Sequence, residues 1–258
     1  GHAVEARLCA EDPAHGFVPR SGRIVRWRRP AGVRVDDALA DGCAVPPHYD
    51  SMLAKVVAHA PGRDAALAQL AAALDATVCW GVTTNRAFLA RVLRDADVVA
   101  GRVDTTFLER RWSDDAARAT APPSSLAAVA AASLALLPRA PLPPLWRGWS
   151  SSPAVETTAA IDVDGTTTRW LLAGTREAFA ASTPQATHRI EELAWHGDAI
   201  DAVVDGRRLR VDAAVDERGE GHWQCEGAEL AASDARLRGA GRDRSAASGV
   251  LVAPMHGR

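Results

Sequence analysis

The sequence predicts two folded parts: an α+β domain with a mainly antiparallel sheet and flanking helices, followed by a helix and an antiparallel β-barrel. Two observations lead to this prediction. Residues 1–112 interleave alternating strand patterns with two amphipathic helical patterns. From about residue 150 the apolar period changes to two, and pairs such as Asp164-Gly165 and Asp205-Gly206 separate short segments. Such pairs favour type I′ hairpins, and many short antiparallel strands in succession favour a barrel or sandwich.

Three strand patterns are expected early in the first part. Residues 2–10 alternate apolar and polar side chains, with Val4, Ala6 and Leu8 on the side expected to be buried. Residues 22–29, GRIVRWRR, predict a second strand, and residues 50–60, DSMLAKVVAHA, predict a third.

Two amphipathic helices are expected to cover this sheet. Residues 62–79 have leucines spaced three and four apart, which is typical of an amphipathic helix, and Asp64 is the expected cap. Residues 83–101 repeat the pattern, with Thr84 or Asn85 as the cap and a glycine at the end.

Composition shifts divide the chain into four regions. Residues 1–112 are the first domain, and the proline- and serine-containing residues 113–124 are a linker. Residues 125–238 are predicted to form a helix and a barrel, the helix being an alanine-rich segment followed by prolines. Residues 239–258 read as a polar linker and the first strand of a further domain, so we expect the chain to be a piece of a longer polypeptide.

Charge and cysteine content exclude several classes. The net charge of −2 and the pI of about 6.5 leave no basic excess to neutralise phosphates, so no nucleic-acid partner is expected. The four cysteines are far apart and form no CxxC pair, which indicates reduced thiols in a cytoplasmic protein. No apolar run is long enough to span a bilayer, so no membrane partner is expected.

Several blocks of the first part carry a family resemblance. They are GHAVEARLCAEDP, GFVPRSGRIVRW, GVRVDDALADGCAVPPHYDSMLAKV, GVTTNRAFLARVL and DTTFLE. In order and spacing they resemble the C-terminal domain of the biotin carboxylase component of biotin-dependent carboxylases, incomplete here at its N-terminus. Downstream, LPPLWRGWSSSP and the strands after it are similar to the subunit-interaction domain of acyl-CoA carboxylase α-subunits, and VLVAPMHGR resembles the start of a biotinyl domain.

The resemblance implies a ligase, the biotin carboxylase subunit of an acyl-CoA carboxylase. In that family ATP activates bicarbonate, and carrier-bound biotin is then carboxylated. Biotin, ATP and Mg²⁺ or Mn²⁺ are the implied cofactors, with the biotin attachment site and the ATP and metal ligands outside this chain. The chain has no glycine-rich phosphate loop, and we expect it to be inactive alone. The implied partners are a carboxyltransferase β-subunit, the biotinyl carrier domain and a second biotin carboxylase copy.

Arg34 is the candidate catalytic and biotin-binding residue. By resemblance it faces bicarbonate and the biotin ureido oxygen. Removing the proton from biotin N1 places negative charge on that oxygen, and a guanidinium can donate two parallel hydrogen bonds to it. The alternative is a loop arginine paired with Asp36 or Asp37.

For the remaining candidates we expect roles in subunit contacts or in the fold rather than in catalysis. Trp146 and Trp149 are expected at a subunit contact, and Arg63 at a contact between biotin carboxylase copies or simply on the surface. The stretch His48-Tyr49-Asp50 is expected to pack and fix a turn rather than to act as an acid–base cluster.

Metal binding is not expected, and other functions stay open. Glu5 and Glu11 fit charged strand faces, and the histidines show no ligand spacing. A non-catalytic assembly module, or the same module of a pyruvate or urea carboxylase, are the alternatives. Which acyl-CoA is carboxylated, and the stoichiometry of assembly, do not follow from these residues.

Overall fold

The computed structural model describes residues 1–112, 122–136, 154–175, 177–216 and 219–236. The strands of the first part are β1 (His2–Cys9), β2 (Glu11–Asp12), β3 (Val18–Pro19), β4 (Gly22–Arg23), β5 (Arg26–Arg28), β6 (Arg34–Asp37), β7 (Ala44–Val45), β8 (Met52–Ala60) and β9 (Val78–Trp80). Its helices are α1 (Arg63–Ala76), α2 (Arg86–Leu93), α3 (Ala96–Val99) and α4 (Phe107–Arg111). The predicted α+β class is confirmed.

An antiparallel sheet in the order β1-β8-β6 is the centre of the first part. Alternate residues of these strands point to a buried face, where Ala6 and Val56 pack against Leu70 and Leu74 of α1. Both leucines are fully buried, and burial of such a side chain stabilises a fold by about 1.5–3 kcal/mol. The other face carries the polar residues of the same strands, as the alternating pattern of residues 2–10 predicts.

The predicted second strand is two strands with different partners. Gly22 and Arg23 pair with β7, whereas Arg26–Arg28 pairs with β9. Ile24 lies between them and is fully buried in a small separate core. The prediction of one continuous strand over residues 22–29 was therefore wrong.

Both predicted helices exist but have different ends. Helix α1 stops at Ala76, where Thr77 Oγ1 donates to the Ala73 carbonyl, and the chain continues directly into β9 instead of extending the helix to residue 79. The residue at its N-cap is Gly62, while Asp64 lies in the first turn.

Asn85 occupies the N-cap position of α2, but its side chain does not cap the helix. Its Oδ1 accepts from the Cys9 amide at 2.9 Å and its Nδ2 donates to the Arg7 carbonyl at 3.2 Å, so it ties α2 to β1. The helix ends at Leu93, and α3 is a separate short helix.

The second part is helix α5 (Ser124–Leu136) and a closed antiparallel barrel, as predicted. The barrel strands are β10 (Ala154–Val163), β11 (Thr166–Thr175), β12 (Ala178–Ser182), β13 (Thr187–His196), β14 (Ala199–Val204), β15 (Arg207–Val215), β16 (Glu220–Cys225) and β17 (Ala228–Asp234). Asp164-Gly165 and Asp205-Gly206 have positive φ at both positions, as type I′ turns require. Glu226-Gly227 forms a third turn of this kind, between β16 and β17.

Helix α5 is buried inside the barrel, and its alanine content explains how it fits. The interior of an eight-stranded barrel is only wide enough for side chains to fill. A helix can enter only if its own side chains are small on every side, and Ala128, Ala130, Ala131 and Ala132 are fully buried. The composition that predicts a helix is thus also what allows the barrel to close around it.

Polar contacts hold α5 in register with the barrel. Within the helix, the buried Ser133 hydroxyl donates to the Ala130 carbonyl at 2.8 Å and accepts from Trp223 Nε1 of β16 at 3.1 Å. At its start, His188 contacts Ser124 Oγ at 2.8 Å and Asp205 at 2.7 Å. These contacts fix the helix and give the buried Ser133 hydroxyl and the Trp223 indole N–H a partner.

The two parts meet along a contact that we call the seam, formed by Trp80, Arg86, His222, Gln224 and Glu229. Gln224 Oε1 accepts from Trp80 Nε1 at 3.3 Å, and the Trp80 ring stacks on His222 with 5.5 Å between centroids. Arg86 is only 2% exposed and donates to Glu229 at 3.2 Å. The barrel is therefore packed directly on the first domain.

Backbone and surface contacts extend the seam. Gln224 Nε2 donates to the carbonyls of Asp75 and Thr77 at the end of α1, at 2.8 and 2.9 Å. At the surface, Arg28 of β5 donates two hydrogen bonds to Asp212 of β15, at 2.7 and 2.5 Å.

Candidate functional site on the sheet

The face of the β1-β8-β6 sheet opposite the helices carries five charged side chains. We call it the polar face and define it by Glu5, Arg7, Arg34, Asp36 and Lys55. Strand register sets its order, because residues directly opposite each other in adjacent strands project to the same face. Two rows result: Glu5, Val57 and Arg34, and beside it Arg7, Lys55 and Asp36. Three cations and two anions thus lie together on this face.

Arg34 lies at the start of edge strand β6, not in a loop, and its side chain is 74% exposed. Its Nε and Nη2 donate to the two carboxylate oxygens of Asp36, both at 2.9 Å. The spacing of two residues along a strand places both on one face. This is the pairing with Asp36 that the sequence left open as the alternative, while Asp37 points to the opposite face and pairs with Arg29.

The charge pair also favours the ionised form of both groups. The hydrogen bond to Asp36 raises the pKa of Arg34, and the hydrogen bond from Arg34 lowers the pKa of Asp36. The two parallel donors of Arg34, which we call its fork, are thus occupied by an ionised carboxylate.

The other candidates fall in separate places. His48, Tyr49 and Asp50 lie in an exposed turn before β8, and Tyr49 is 84% exposed, so the expected packing role was wrong although the turn is present. Glu5 lies on the polar face, whereas Glu11 accepts from Ser51 Oγ at 2.5 Å in β2, away from that face.

Arg63 begins helix α1, and Trp146 and Trp149 lie outside the described residues, as does the segment after residue 236. Arg63 Nη2 donates to the Val98 carbonyl at 2.9 Å, so this side chain ties α1 to α3. Its expected role in self-association stays a prediction.

The described ranges show neither a metal-binding cluster nor a membrane-spanning helix. Within them, no group of three histidine, cysteine or acidic side chains is placed to hold a metal ion. No helix of that part of the chain is long and apolar enough to cross a membrane.

The sequence of the first part matches a known domain family. Residues 5–110 match the biotin carboxylase C-terminal domain, a range that includes the polar face and helices α1 to α3. Over these residues the chain is similar to biotin carboxylase C-terminal domains. The barrel lies outside the matched range.

Relatives of the biotin carboxylase C-terminal domain occur in two kinds of enzyme. Biotin carboxylase of Pseudomonas aeruginosa is 40% identical over 117 residues, which cover 45% of this chain and 26% of the relative. Human mitochondrial pyruvate carboxylase is 42% identical over 112 residues, covering 42% of this chain and 10% of the relative. The chain thus spans about a quarter or less of the length of these relatives.

Solved structures show the same partial overlap. The biotin carboxylase domain dimer of Hydrogenobacter thermophilus 2-oxoglutarate carboxylase, in complex with MgADP, ADP and bicarbonate, is 32% identical with a TM-score of 0.44; the match covers 46% of this chain and 26% of that one. A complete pyruvate carboxylase from Rhizobium etli is 28% identical with a TM-score of 0.46, covering 55% of this chain and 14% of that one.

Arg86 and Gln224 are the residues that sequence reasoning missed. Arg86 shares a helix face with buried Ala90, which is an unusual place for a cation and is the one available signal. Its partners Gly227 and Glu229 are more than 140 positions away in the sequence, so the pattern of α2 alone does not identify them.

Proposed function

We propose that this chain is part of the biotin carboxylase subunit of an acyl-CoA carboxylase. That subunit would carboxylate carrier-bound biotin with bicarbonate and ATP, for transfer to an acyl-CoA on a partner. The observation that most supports this proposal is the position of Arg34. It lies in the segment that matches the biotin carboxylase C-terminal domain, on the polar face that helices α1 and α2 leave uncovered.

The chemistry of biotin carboxylation suits a guanidinium at this position. Carboxylation at N1 develops negative charge on the ureido oxygen, and two parallel charge-assisted hydrogen bonds stabilise it. Arg34 already presents its Nε and Nη2 as a parallel pair to the Asp36 carboxylate, which has the planar shape of bicarbonate. A lysine at position 34 would supply the charge without this geometry.

The rest of the reaction requires groups outside this chain. In the proposed enzyme ATP and Mg²⁺ or Mn²⁺ supply the activation of bicarbonate, and biotin carries the carboxyl group. The polar face as a whole carries three cations and two anions, and this net positive charge favours an anionic substrate over a neutral one.

The barrel supports the acyl-CoA type over the pyruvate and urea types. A closed barrel around a buried helix, packed on the first domain through the seam, offers a rigid surface for a carboxyltransferase subunit. Pyruvate carboxylase is the alternative, because human pyruvate carboxylase matches the first domain as well as biotin carboxylase does.

Replacing Arg34 with alanine in the intact subunit tests the catalytic proposal. We expect biotin carboxylation to fall about tenfold to a hundredfold, since charge-assisted hydrogen bonds made mainly in the transition state are lost. ATP binding should stay intact. Arg102→Ala is the control, because Arg102 is also exposed and pairs with a nearby carboxylate, Asp97. An unchanged rate in Arg34→Ala would leave the non-catalytic assembly module as the better reading.

Two further measurements separate the enzyme from an assembly module. Co-elution of this chain with the carboxyltransferase subunit on size-exclusion chromatography is expected, and separate elution would count against the docking role. The chain alone should show no bicarbonate-dependent ATP cleavage. Measurable cleavage would show that the ATP site is not located elsewhere.

A further inference from the structure

The carboxylate of Asp36 occupies the same two donors of Arg34 that the proposed function assigns to bicarbonate and biotin. Both hydrogen bonds are 2.9 Å long and parallel. A carboxylate and bicarbonate share a planar group with two oxygens that a guanidinium can bind side by side. A substrate anion and Asp36 therefore cannot both use this pair of donors at the same time.

We propose that Asp36 is an internal competitor that occupies the Arg34 fork in the empty site and is displaced by bicarbonate, so that it sets the apparent affinity for bicarbonate. This inference rests on the proposed function of Arg34. It assigns control of the apparent bicarbonate affinity to a residue that lies two positions after Arg34 on the same strand.

The exposure of the pair makes such an exchange feasible. The side chains of Arg34 and Asp36 are 74% and 46% exposed, and exposed ion pairs are only weakly favourable. The population in which Arg34 and Asp36 are paired should thus exceed the population in which they are apart by no more than a few-fold. An incoming anion can therefore separate the two side chains without a large barrier.

A second acceptable position exists for the displaced carboxylate. Lys55 lies directly opposite Asp36 in the neighbouring strand and contributes to the low pKa of the Asp36 carboxyl. When bicarbonate takes the fork, Asp36 can keep a cation beside it by turning toward Lys55. Residues at such positions have Cβ atoms about 5 Å apart, which is within reach of a lysine side chain.

The competition predicts a change in KM without a change in the step after binding. When only a fraction of the sites is open, the apparent dissociation constant rises by the inverse of that fraction. Asp36→Asn removes the competing charge, so KM for bicarbonate should fall about two- to fivefold. The rate at saturating bicarbonate should stay close to that of the wild type, because the competitor is displaced there in any case.

The experiment measures bicarbonate-dependent ATP cleavage by the intact subunit over a range of bicarbonate concentrations. Glu5→Gln is the matched variant, because Glu5 lies on the same face and influences Arg34 through space without bonding to its fork. If loss of any nearby negative charge were enough, Glu5→Gln would lower KM as much as Asp36→Asn does, and that result would overturn the inference. An unchanged or higher KM in Asp36→Asn would also overturn it.

The outcomes separate this inference from the function on which it rests. If Arg34→Ala impairs carboxylation but Asp36→Asn leaves KM unchanged, only the competition is wrong. If Arg34→Ala carboxylates biotin at the wild-type rate, both the proposed role of Arg34 and the competition fail. Asp97→Asn, in α3 and outside the polar face, should match the wild type throughout.

Discussion

At the scale of the residue, Arg86 shows how much one buried cation can hold together. Its guanidinium donates to the Leu74 carbonyl in α1, and across the seam to the Gly227 carbonyl and the Glu229 carboxylate. Of these acceptors, the Leu74 carbonyl also accepts from the Thr77 amide at 3.2 Å. Breaking a buried ion pair by removing one member is costly, because the other charge stays behind without compensation.

Arg86→Met keeps the aliphatic stem and removes the donors. We expect the free energy of unfolding to fall by about 3–5 kcal/mol, measured by urea denaturation. Arg102→Met, which removes an exposed arginine paired with Asp97, should leave the midpoint nearly unchanged. Equal midpoints for Arg86→Met and the wild type would contradict the role given to this side chain.

At the scale of the element, the helix within the barrel depends on small side chains. Ala130 is fully buried among the strands, so a larger residue there has no space to occupy. Ala130→Leu should lower the free energy of unfolding by about 1–3 kcal/mol or more, measured by chemical denaturation. Ala72→Leu, on the exposed side of α1, is the control and should change stability little. Similar effects of the two variants would argue against a helix enclosed by the barrel.

The hairpin turns provide a second test at this scale. Gly165 and Gly227 have almost the same φ, 83° and 82°, so alanine is strained equally at both. A Cβ at Gly165 meets nothing within 4 Å, whereas one at Gly227 would lie 2.3 Å from Asp75 Oδ1. Gly227→Ala should therefore lower the thermal midpoint more than Gly165→Ala. Equal shifts of the two thermal midpoints would show that the turn at Gly227 is not in close contact with α1.

Much of this architecture follows from local patterns, and the exceptions have physical causes. Period-two alternation and Asp-Gly turns predict most barrel strands, because each hairpin is specified by adjacent residues. Strand β12 was missed, since Ala178–Ser182 is short and mostly small, so its alternation is weak. Arg34 could be proposed only through a family resemblance, and the seam could not be predicted, because its partners are distant in the sequence.

At the scale of the whole molecule, the seam makes stability depend on pH through His222. Burial against Trp80 lowers the pKa of His222 below its ordinary value, so the folded state favours the neutral ring. Its contribution is complete above pH 6.5 and is lost as the pH falls from there toward the folded pKa. Glu229 acts in the opposite sense, because burial raises the pKa of its carboxyl.

Replacing His222 with an aromatic residue that does not titrate isolates its contribution to the pH dependence of stability. His222→Phe keeps an aromatic ring beside Trp80, and Glu229 and the other histidines are the same in both proteins. We expect the thermal midpoint to fall more between pH 7.5 and 5.5 in the wild type than in His222→Phe. The same fall in both proteins would mean that His222 does not couple the seam to pH.

The function proposed for the whole molecule depends on the planar fork of Arg34 rather than on its charge alone. Arg34→Lys separates the two, because it keeps the cation and loses the pair of parallel donors. The most direct measurement is the transfer of labelled bicarbonate to biotin by the intact subunit. The rate in Arg34→Lys should be lower than that of the wild type by roughly tenfold or more. A rate equal to that of the wild type would contradict the account.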